Sequence, residues 1–457
     1  MLFELSTGTA LQELTTLVLL LGAPMAVGAF DQITNALKIA YPKKAIDPMV
    51  NEETPFRRRL KKNLPPGARM SEAIMKFGAN LNPPQNVGQH VDGDNLPTPK
   101  DRTQAQFTMT ASLFSGTFQI GWLTQRAANT NRSAFNGGEL RRRTEETIAD
   151  TAKFIEQTYV GTHGSSRRAR VDSDGSNNFV CLKPEMALLI RENHYISVRT
   201  TDGGDSVRDS CDFRKVTAVD HDTFTVTYDS TDQTLVSGDH VSVVTKAAQT
   251  SLSSAGSTQN VSANGLRGLV DDATYASYIH LLQRSAYPKL NSNIAGNGGT
   301  KRDLSEQILI NACHKNRHRS GKRVTDAWCN TGQAEKYVEF VAPDRRYMQQ
   351  GKGITPLATG YQEDSLVHYA PGVSFNINIA WDMIPREIFL LNWDTFFHYV
   401  AQDMDWWDEG AMLKPVPVSG GYKAAYFAAL CSMENLGCDM PIGNTVVRDL
   451  NDPLCSD

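Results

Sequence analysis

Between positions 136 and 161 apolar and charged residues alternate with a helical period. Ile148, Ala152, Ile155 and Tyr159 recur at spacings of four, three and four, which is one helical face. The other face pairs Glu139 with Arg143, Arg141 with Glu145, and Arg142 with Glu146, each one turn apart. Asn136, Gly137 and Gly138 offer a start and Gly161 a stop, so the pattern predicts one long, partly exposed helix. A second amphipathic stretch runs from Asp303 to Lys315 through Leu304, Ile308, Leu309 and Ala312, with Gly321 beyond its end.

Elsewhere the period is two. Within residues 70–124 the first half is punctuated by Gly78, Pro83, Pro84, Gly88, Gly93, Pro97 and Pro99, and the second half reads as strands at Gln106–Thr110, Phe114 and Thr117–Ile120. Strands around a long turn-rich stretch predict an extended hairpin. Residues 162–182 read as a loop. Ile196, Val198 and Thr200, then Val216–Val219, then Phe224, Val226 and Tyr228, then Val241 and Val243 form four short strands with turn residues between them. These predict a small closed barrel or sandwich, followed by a linker at Thr250–Asn264. Phe375, Ile377 and Ile379 alternate as a strand. Tyr422–Leu430 and Thr445–Leu450 read as two strands around a turn at Asn435, Leu436 and Gly437. No repeat and no membrane-spanning helix emerges.

Composition narrows the class. Across 457 residues, 46 Lys+Arg face 50 Asp+Glu, the net charge is -4 and 40% of residues are hydrophobic. Such a chain builds real cores and is not disordered. A generally basic nucleic-acid binder is excluded; any such role needs a local patch. The seven cysteines are widely spaced with no C-x-x-C pair, which favours reduced thiols and an intracellular place of synthesis. The apolar run Leu17–Phe30 follows Glu4 and Glu13, and the first basic residue is Lys38, so a signal peptide's positive start is missing. Gly22 and Pro24 interrupt the run, and it falls short of the ~20 residues that cross a bilayer. It reads as an arm that packs on a neighbouring subunit. Residues 31–69 are basic and broken by prolines, with Arg57, Arg58, Arg59, Lys61 and Lys62 as a candidate phosphate-contacting cluster.

Catalytic patterns are sparse. Gly321-Lys322-Arg323 and Gly351-Lys352-Gly353 both fail the phosphate-loop pattern, and neither a nucleophile elbow nor H-E-x-x-H occurs. Asp172, Asp174 and Asn177 have Gly175 too early for a calcium loop. His314 and His318 lie four apart beside Cys313, with Cys329 nearby, but the run HKNRHRSGKR is too cationic for a divalent ion and reads as the basic end of a helix. Asp403, Asp405, Asp408 and Glu409 flank Trp406 and Trp407, which keeps a carbohydrate-active hydrolase as an alternative. No cofactor is expected.

Four strings carry a resemblance. ALKIAYPKKAIDPMVNEETPFRRRLKK resembles the N-terminal arm, and GELRRRTEETIADTAKFIEQTYVG the spine helix, of the major capsid proteins of tailed bacteriophages. HDTFTVTYDSTDQTLVSGDHVSVV is similar to β-barrel insertions in some members, and VSGGYKAAYFAALCSMENLGCDMPIGNTVVRDL to the closing strands of the peripheral domain. The resemblance implies an α+β chain of the Hong Kong 97-like capsid fold. It divides the chain into an N-terminal arm (1–66), an extended loop (67–126), the spine helix and peripheral domain (127–182), and an inserted β-barrel (183–250). A peripheral return (251–290), an axial domain (291–412) and closing strands (413–457) complete it.

The implied function is mechanical and not enzymatic. Copies of the chain form pentamers and hexamers and close an icosahedral shell around packaged double-stranded DNA. Portal, scaffold and decoration proteins are the further partners, and there is no membrane. The implied location is the virion capsid, after synthesis in the host cytoplasm. Arg57, Arg58, Arg59, Lys61 and Lys62 then become subunit-contact or DNA-facing residues. A shell of the same fold that encloses a cellular cargo is a further alternative. Some members cross-link through a lysine of the extended loop; Lys76 and Lys100 lie in that region, with no partner identified.

Overall fold

The computed structural model describes residues 55–60, 64–65, 67–71, 74–80, 104–121, 123, 139–161, 167–182, 187, 189–200, 207–209, 211–229, 234–244, 263–274, 276, 278–348, 366–370, 373–406, 414–418 and 421–453. The fold is mixed α+β, with several sheets and few helices. The apolar run at 17–30 and the carboxylates Asp408 and Glu409 lie outside the described residues. Phe114–Ala152 and Met404–Ser432 belong to one compact unit; Glu53–Leu113, Lys153–Asp403 and Met433–Asp457 belong to the other.

The chain enters through a five-residue helix, α1 (Pro55–Arg59). Strands β1 (Arg69–Ser71), β2 (Ile74–Asn80) and β3 (Gln104–Thr110) form an antiparallel sheet in that order. β2 and β3 pair in unbroken register from Ile74↔Thr110 to Asn80↔Gln104. β3 contains the strand read at Gln106–Thr110, whereas its partner β2 runs through Gly78, which in the sequence reads as punctuation; the connection between them falls outside the described residues. At the root of this hairpin, Phe77 packs on Phe107 in a tilted arrangement with centroids 4.9 Å apart and meets Phe397 edge-on at 5.3 Å. The Thr117–Ile120 alternation belongs to β4 (Ser112–Gly121). Helix α2 (Glu139–Gly161) has 23 residues, about 34 Å at 1.5 Å per residue. Ile155 and Tyr159 are fully buried on it, whereas Ile148 is exposed. The expected pair of Arg142 with Glu146 forms at 3.0 Å.

Next comes a closed barrel, which leaves no strand edge open. It is built from β5 (Arg167–Asp174), β6 (Asn178–Cys181), β7 (Tyr195–Arg199), β8 (Arg214–Asp220), β9 (Thr225–Tyr228) and β10 (His240–Val244). Around the ring the order is β10-β5-β6-β9-β8-β7. The last four strands in sequence match the four short alternations. β5 and β6 correct the loop reading of 162–182. Their polar run hides one structural feature: Arg168 is buried, against Gln157 and Thr158 of α2 and not in the barrel core. It donates to Leu189 O at 3.0 Å, and its ring neighbour is Phe154 at 5.4 Å. Ala169, Val171, Phe179, Val198, Val226 and Val241 fill the barrel core.

The remainder contains two small strands, β11 (Tyr278–Ile279) and β12 (Leu282–Gln283), and a six-stranded mixed sheet. Its strands are β13 (Asn293–Ala295), β14 (Asp326–Cys329), β15 (Leu366–Ala370), β16 (Val373–Ile379), β17 (Ile388–Leu391) and, later in the chain, Thr445–Val447. Helix α3 (Glu306–Ser320) buries Leu309, Ala312 and Cys313 in the same cluster as Ala327, Phe375, Ile377 and Leu390 of the sheet. Gly321 closes α3 with φ 72°, a left-handed cap that suits glycine. Helix α4 (Thr331–Met348) follows β14.

The strands β18 (Phe396–Trp406), β19 (Lys414–Val418) and β20 (Gly421–Cys438) join β4 in a four-stranded sheet, and Thr445–Val447 is β21. Asn435-Leu436-Gly437 is not a turn, since β20 runs through it for 18 residues. Each residue of the false turn signal has another reason. Asn435 accepts from the Asn264 amide at 2.8 Å and donates to Thr110 O at 2.6 Å. A Cβ on Gly437 would lie 2.1 Å from the Phe397 ring.

Candidate functional site

The arm helix α1 is too short to be stable alone, so its position reports on its anchors. Pro55 occupies its first position, where a missing N–H costs nothing. The next two amides are first-turn donors with no partner inside the helix. Glu156 of α2 takes both: Oε1 accepts from Phe56 N at 2.8 Å and Oε2 from Arg57 N at 2.7 Å. Burial raises the Glu156 carboxyl to about 7 even though the two N–H bonds oppose that rise.

The side chains of α1 lock three further elements. The Phe56 ring is fully buried and meets Trp328 of β14 edge-on at 5.1 Å and Trp393 at 5.4 Å. Trp328 and Trp393 stack at 5.7 Å, and Trp393 Nε1 donates to Arg59 O at 3.0 Å. The Arg59 guanidinium pairs with buried Asp326 of β14 at 3.1 Å. Arg57 pairs with Glu434 of β20 at 3.1 Å.

Glu434 is the centre of a buried polar junction. Its second oxygen meets His398 Nε2 of β18 at 2.6 Å, and His398 lies 3.3 Å from the Tyr159 hydroxyl of α2. Burial pushes Glu434 up, but the His398 bond and the Arg57 charge outweigh it and hold the carboxyl below its ordinary range. Tyr159 is driven well above its ordinary value, chiefly by burial and then by the Glu434 charge. Glu434, His398 and Tyr159 are all buried. The geometry of the junction suits a clamp that ties the arm to α2, β14, β18 and β20.

Of the basic cluster read from the sequence, Arg57 and Arg59 therefore hold carboxylates of their own chain. Arg58 belongs to α1, and Lys61 and Lys62 lie outside the described residues. The partners Glu156, His398 and Glu434 carry no sequence signal of their own. A single acid beside the apolar face of a helix reads as ordinary amphipathicity, and only the fold reveals donors 100 and 377 positions away. Lys76 is exposed on β2, and Lys100 is outside the described residues.

The other candidates do not converge. Asp405 is exposed on β18, and no second carboxylate of its cluster is described beside it. Cys313 is buried under α3 while His314 and His318 face outward. Among the described residues no group of three or more His, Cys, Asp or Glu side chains could hold a metal ion. Cys181, Cys211, Cys313, Cys329, Cys431 and Cys438 are buried and take part in no disulfide among the described residues. No described helix is long and apolar enough to cross a membrane.

No protein-family model matches the sequence, and no curated protein matches it. Solved structures do. The chain is similar to a cyanophage A-1(L) capsid asymmetric unit, with a TM-score of 0.49, 12% identity, and 90% of this chain and 97% of that chain covered. It is similar to the capsid of an empty GTA particle, with a TM-score of 0.43, 8% identity, and 92% and 98% covered. A third similarity is to the holo-SrpI encapsulin complex from Synechococcus elongatus PCC 7942, with a TM-score of 0.37, 7% identity, and 93% and 97% covered. Nearly the full length of each pair of chains is aligned, and no residue's role is taken from them.

Proposed function

We propose that the chain is a structural major capsid protein whose copies form pentamers and hexamers and close an icosahedral shell around packaged double-stranded DNA. The observation that supports this reading most directly is apolar surface left in water. Met70 on β1, Ile74 on β2, Leu113 on β4, Ile148 on α2 and Phe427 on β20 are exposed, Leu113 by 54%. A soluble monomer gains nothing from large apolar side chains spread along its hairpin, long helix and closing strand; neighbouring copies would cover them. The clamp on α1 supports the same reading. It fixes one end of an arm whose preceding apolar stretch is suited to a neighbouring subunit.

In this reading the domain division runs as the resemblance implies: arm 1–66, extended loop 67–126, spine helix and peripheral domain 127–182, barrel 183–250, peripheral return 251–290, axial domain 291–412 and closing strands 413–457. The shell belongs to a virion assembled in the host cytoplasm, with portal, scaffold and decoration proteins as partners. Arg58, Lys61 and Lys62, beside the anchored Arg57 and Arg59, are its candidates for contact with a neighbouring subunit. Their charge reversal is expected to lower particle yield.

Electron microscopy of the purified chain beside its elution volume tests the reading. Closed shells or rings of five and six subunits are expected. A uniform monomer at high concentration and across salt would overturn it and return Asp403, Asp405, Asp408 and Glu409 to first place. Shells that hold protein cargo and no DNA would instead favour a cellular compartment.

A further inference from the structure

The cationic run at the end of α3 has found no role in the clamp. Lys315, Arg317, Arg319, Lys322 and Arg323 are all exposed, and so are His314 and His318 between them. These seven side chains occupy ten consecutive positions in a chain whose net charge is -4. Among the described residues none of the seven forms an ion pair. Arg319 reaches Asn293 Oδ1 at 3.4 Å, and the Lys322 charge acts on the Asp439 carboxyl. Asp439 is itself exposed; desolvation of its carboxyl raises it to about 6, with Lys322 opposing.

Helix-end electrostatics explains part of this. Cations in the last turn complement the negative end of the helix, an effect confined to that turn. Arg317, His318 and Arg319 satisfy it. Lys315 precedes that turn, and Lys322 and Arg323 lie beyond the Gly321 cap. The helix is held from beneath, through buried Ala312, Cys313 and Asn316, with Asn316 Nδ2 donating to Gly443 O at 2.8 Å. The charged face is therefore fixed on a rigid base. No apolar side chain and no Phe, Tyr or Trp interrupts it from His314 to Arg323.

We propose that this end of α3 is a sequence-independent binding surface for the phosphate backbone of duplex DNA. Five permanent cations on a fixed helix end match the repeating charge of a duplex. The absence of Phe, Tyr and Trp from the run argues against single strands, which bind by base stacking. The missing apolar flank argues against a membrane surface, where a helix buries a hydrophobic face. The DNA source rests on the shell reading, whereas the binding itself does not.

The test titrates the full-length chain into labelled 30-base-pair duplexes of two unrelated sequences, read by fluorescence anisotropy across salt. Equal affinity for both is expected. With five cations engaged, the logarithm of affinity falls against that of salt with a slope of about -4.5, roughly a 500-fold loss between 50 and 200 mM. Arg317→Glu/Arg319→Glu/Lys322→Glu is expected to abolish binding. Arg142→Glu/Lys215→Glu/Lys336→Glu, with the same change in net charge elsewhere, retains it. Equal losses in both triple variants, or no binding by the parent at 50 mM salt, overturn the proposal. Polyglutamate that competes as well as duplex DNA also overturns it, in favour of an acidic protein segment. Microscopy of the same preparations separates the two readings: shells without DNA affinity defeat this surface alone, and DNA affinity without shells defeats the shell alone.

Discussion

Glu156 grips the backbone of Phe56 across 100 positions of chain, its Oε1 accepting the amide N–H at 2.8 Å. One buried carboxylate thus performs for the arm helix what a neighbouring Ser or Asp performs for an ordinary one. The difference is that this cap joins two distant elements. Loss of Glu156 therefore frees the arm as well as fraying a helix.

The ionisation of this cap gives the first prediction. The folded value is about 7 against an ordinary 4.5, and the cause is burial. A raised acid contributes stability that is present below 4.5 and lost as pH rises through 7. At 1.36 kcal/mol per unit the loss is on the order of 3 kcal/mol. His194 and His280, both lowered to about 3 by burial, act in the opposite sense on the acid side of 6.5. The signal is therefore the difference between parent and Glu156→Gln. Denaturant unfolding at pH 4.5 and 8 is expected to show the variant gaining on the parent as pH rises. A difference that does not change with pH would refute the assignment.

Phe56 is the apolar part of the same anchor. Truncation to Ala removes a fully buried ring that meets both Trp328 and Trp393 edge-on, a change that typically costs about 3–5 kcal/mol. Much of that cost falls on the arm alone. Trypsin is expected to cut Phe56→Ala at Arg57, Arg58 and Arg59 at least tenfold faster than the parent, under conditions where the barrel remains intact. Equal cleavage rates would mean that the polar contacts suffice.

The polar junction behaves differently on single and double substitution. Glu434→Gln leaves Arg57 and His398 facing a neutral group in a buried site, at a cost of about 3 kcal/mol. Glu434→Leu combined with His398→Phe removes both polar partners of that contact. Apolar replacement of a buried pair is often close to neutral, so the double variant should be more stable than Glu434→Gln. Thermal melts of both variants check the order. The reverse order would show that the pair itself stabilises the fold.

Much of this architecture was legible in the chain. Ile155 and Tyr159 marked the buried side of α2, and the alternations at 196–243 marked four barrel strands. Other parts were hidden by tertiary chemistry. Arg168 made β5 look like a loop because its burial depends on Leu189 O, Gln157 and Thr158. Arg57 and Arg59 were visible as charges, but Glu434 and Asp326 were not visible as their partners. Periodicity reports which side of an element is dry, not which distant group meets it there.

Gly437 makes the same distinction testable. Asn-Leu-Gly is a turn signal, yet the glycine sits inside β20 because the Phe397 ring occupies the space of a side chain. A Cβ there would approach ring atoms at 2.1 and 2.2 Å. Phe397 in turn packs on Phe77 at the root of the hairpin, with centroids 5.3 Å apart. Gly437→Ala therefore pushes on the hairpin through one ring. Overpacking of this kind costs about 1–3 kcal/mol. If the ring transmits the strain, Gly437→Ala/Phe397→Leu recovers most of the loss. Urea unfolding of the two variants against Phe397→Leu alone measures the coupling, and additive effects would place the cost in the strand and not in the ring.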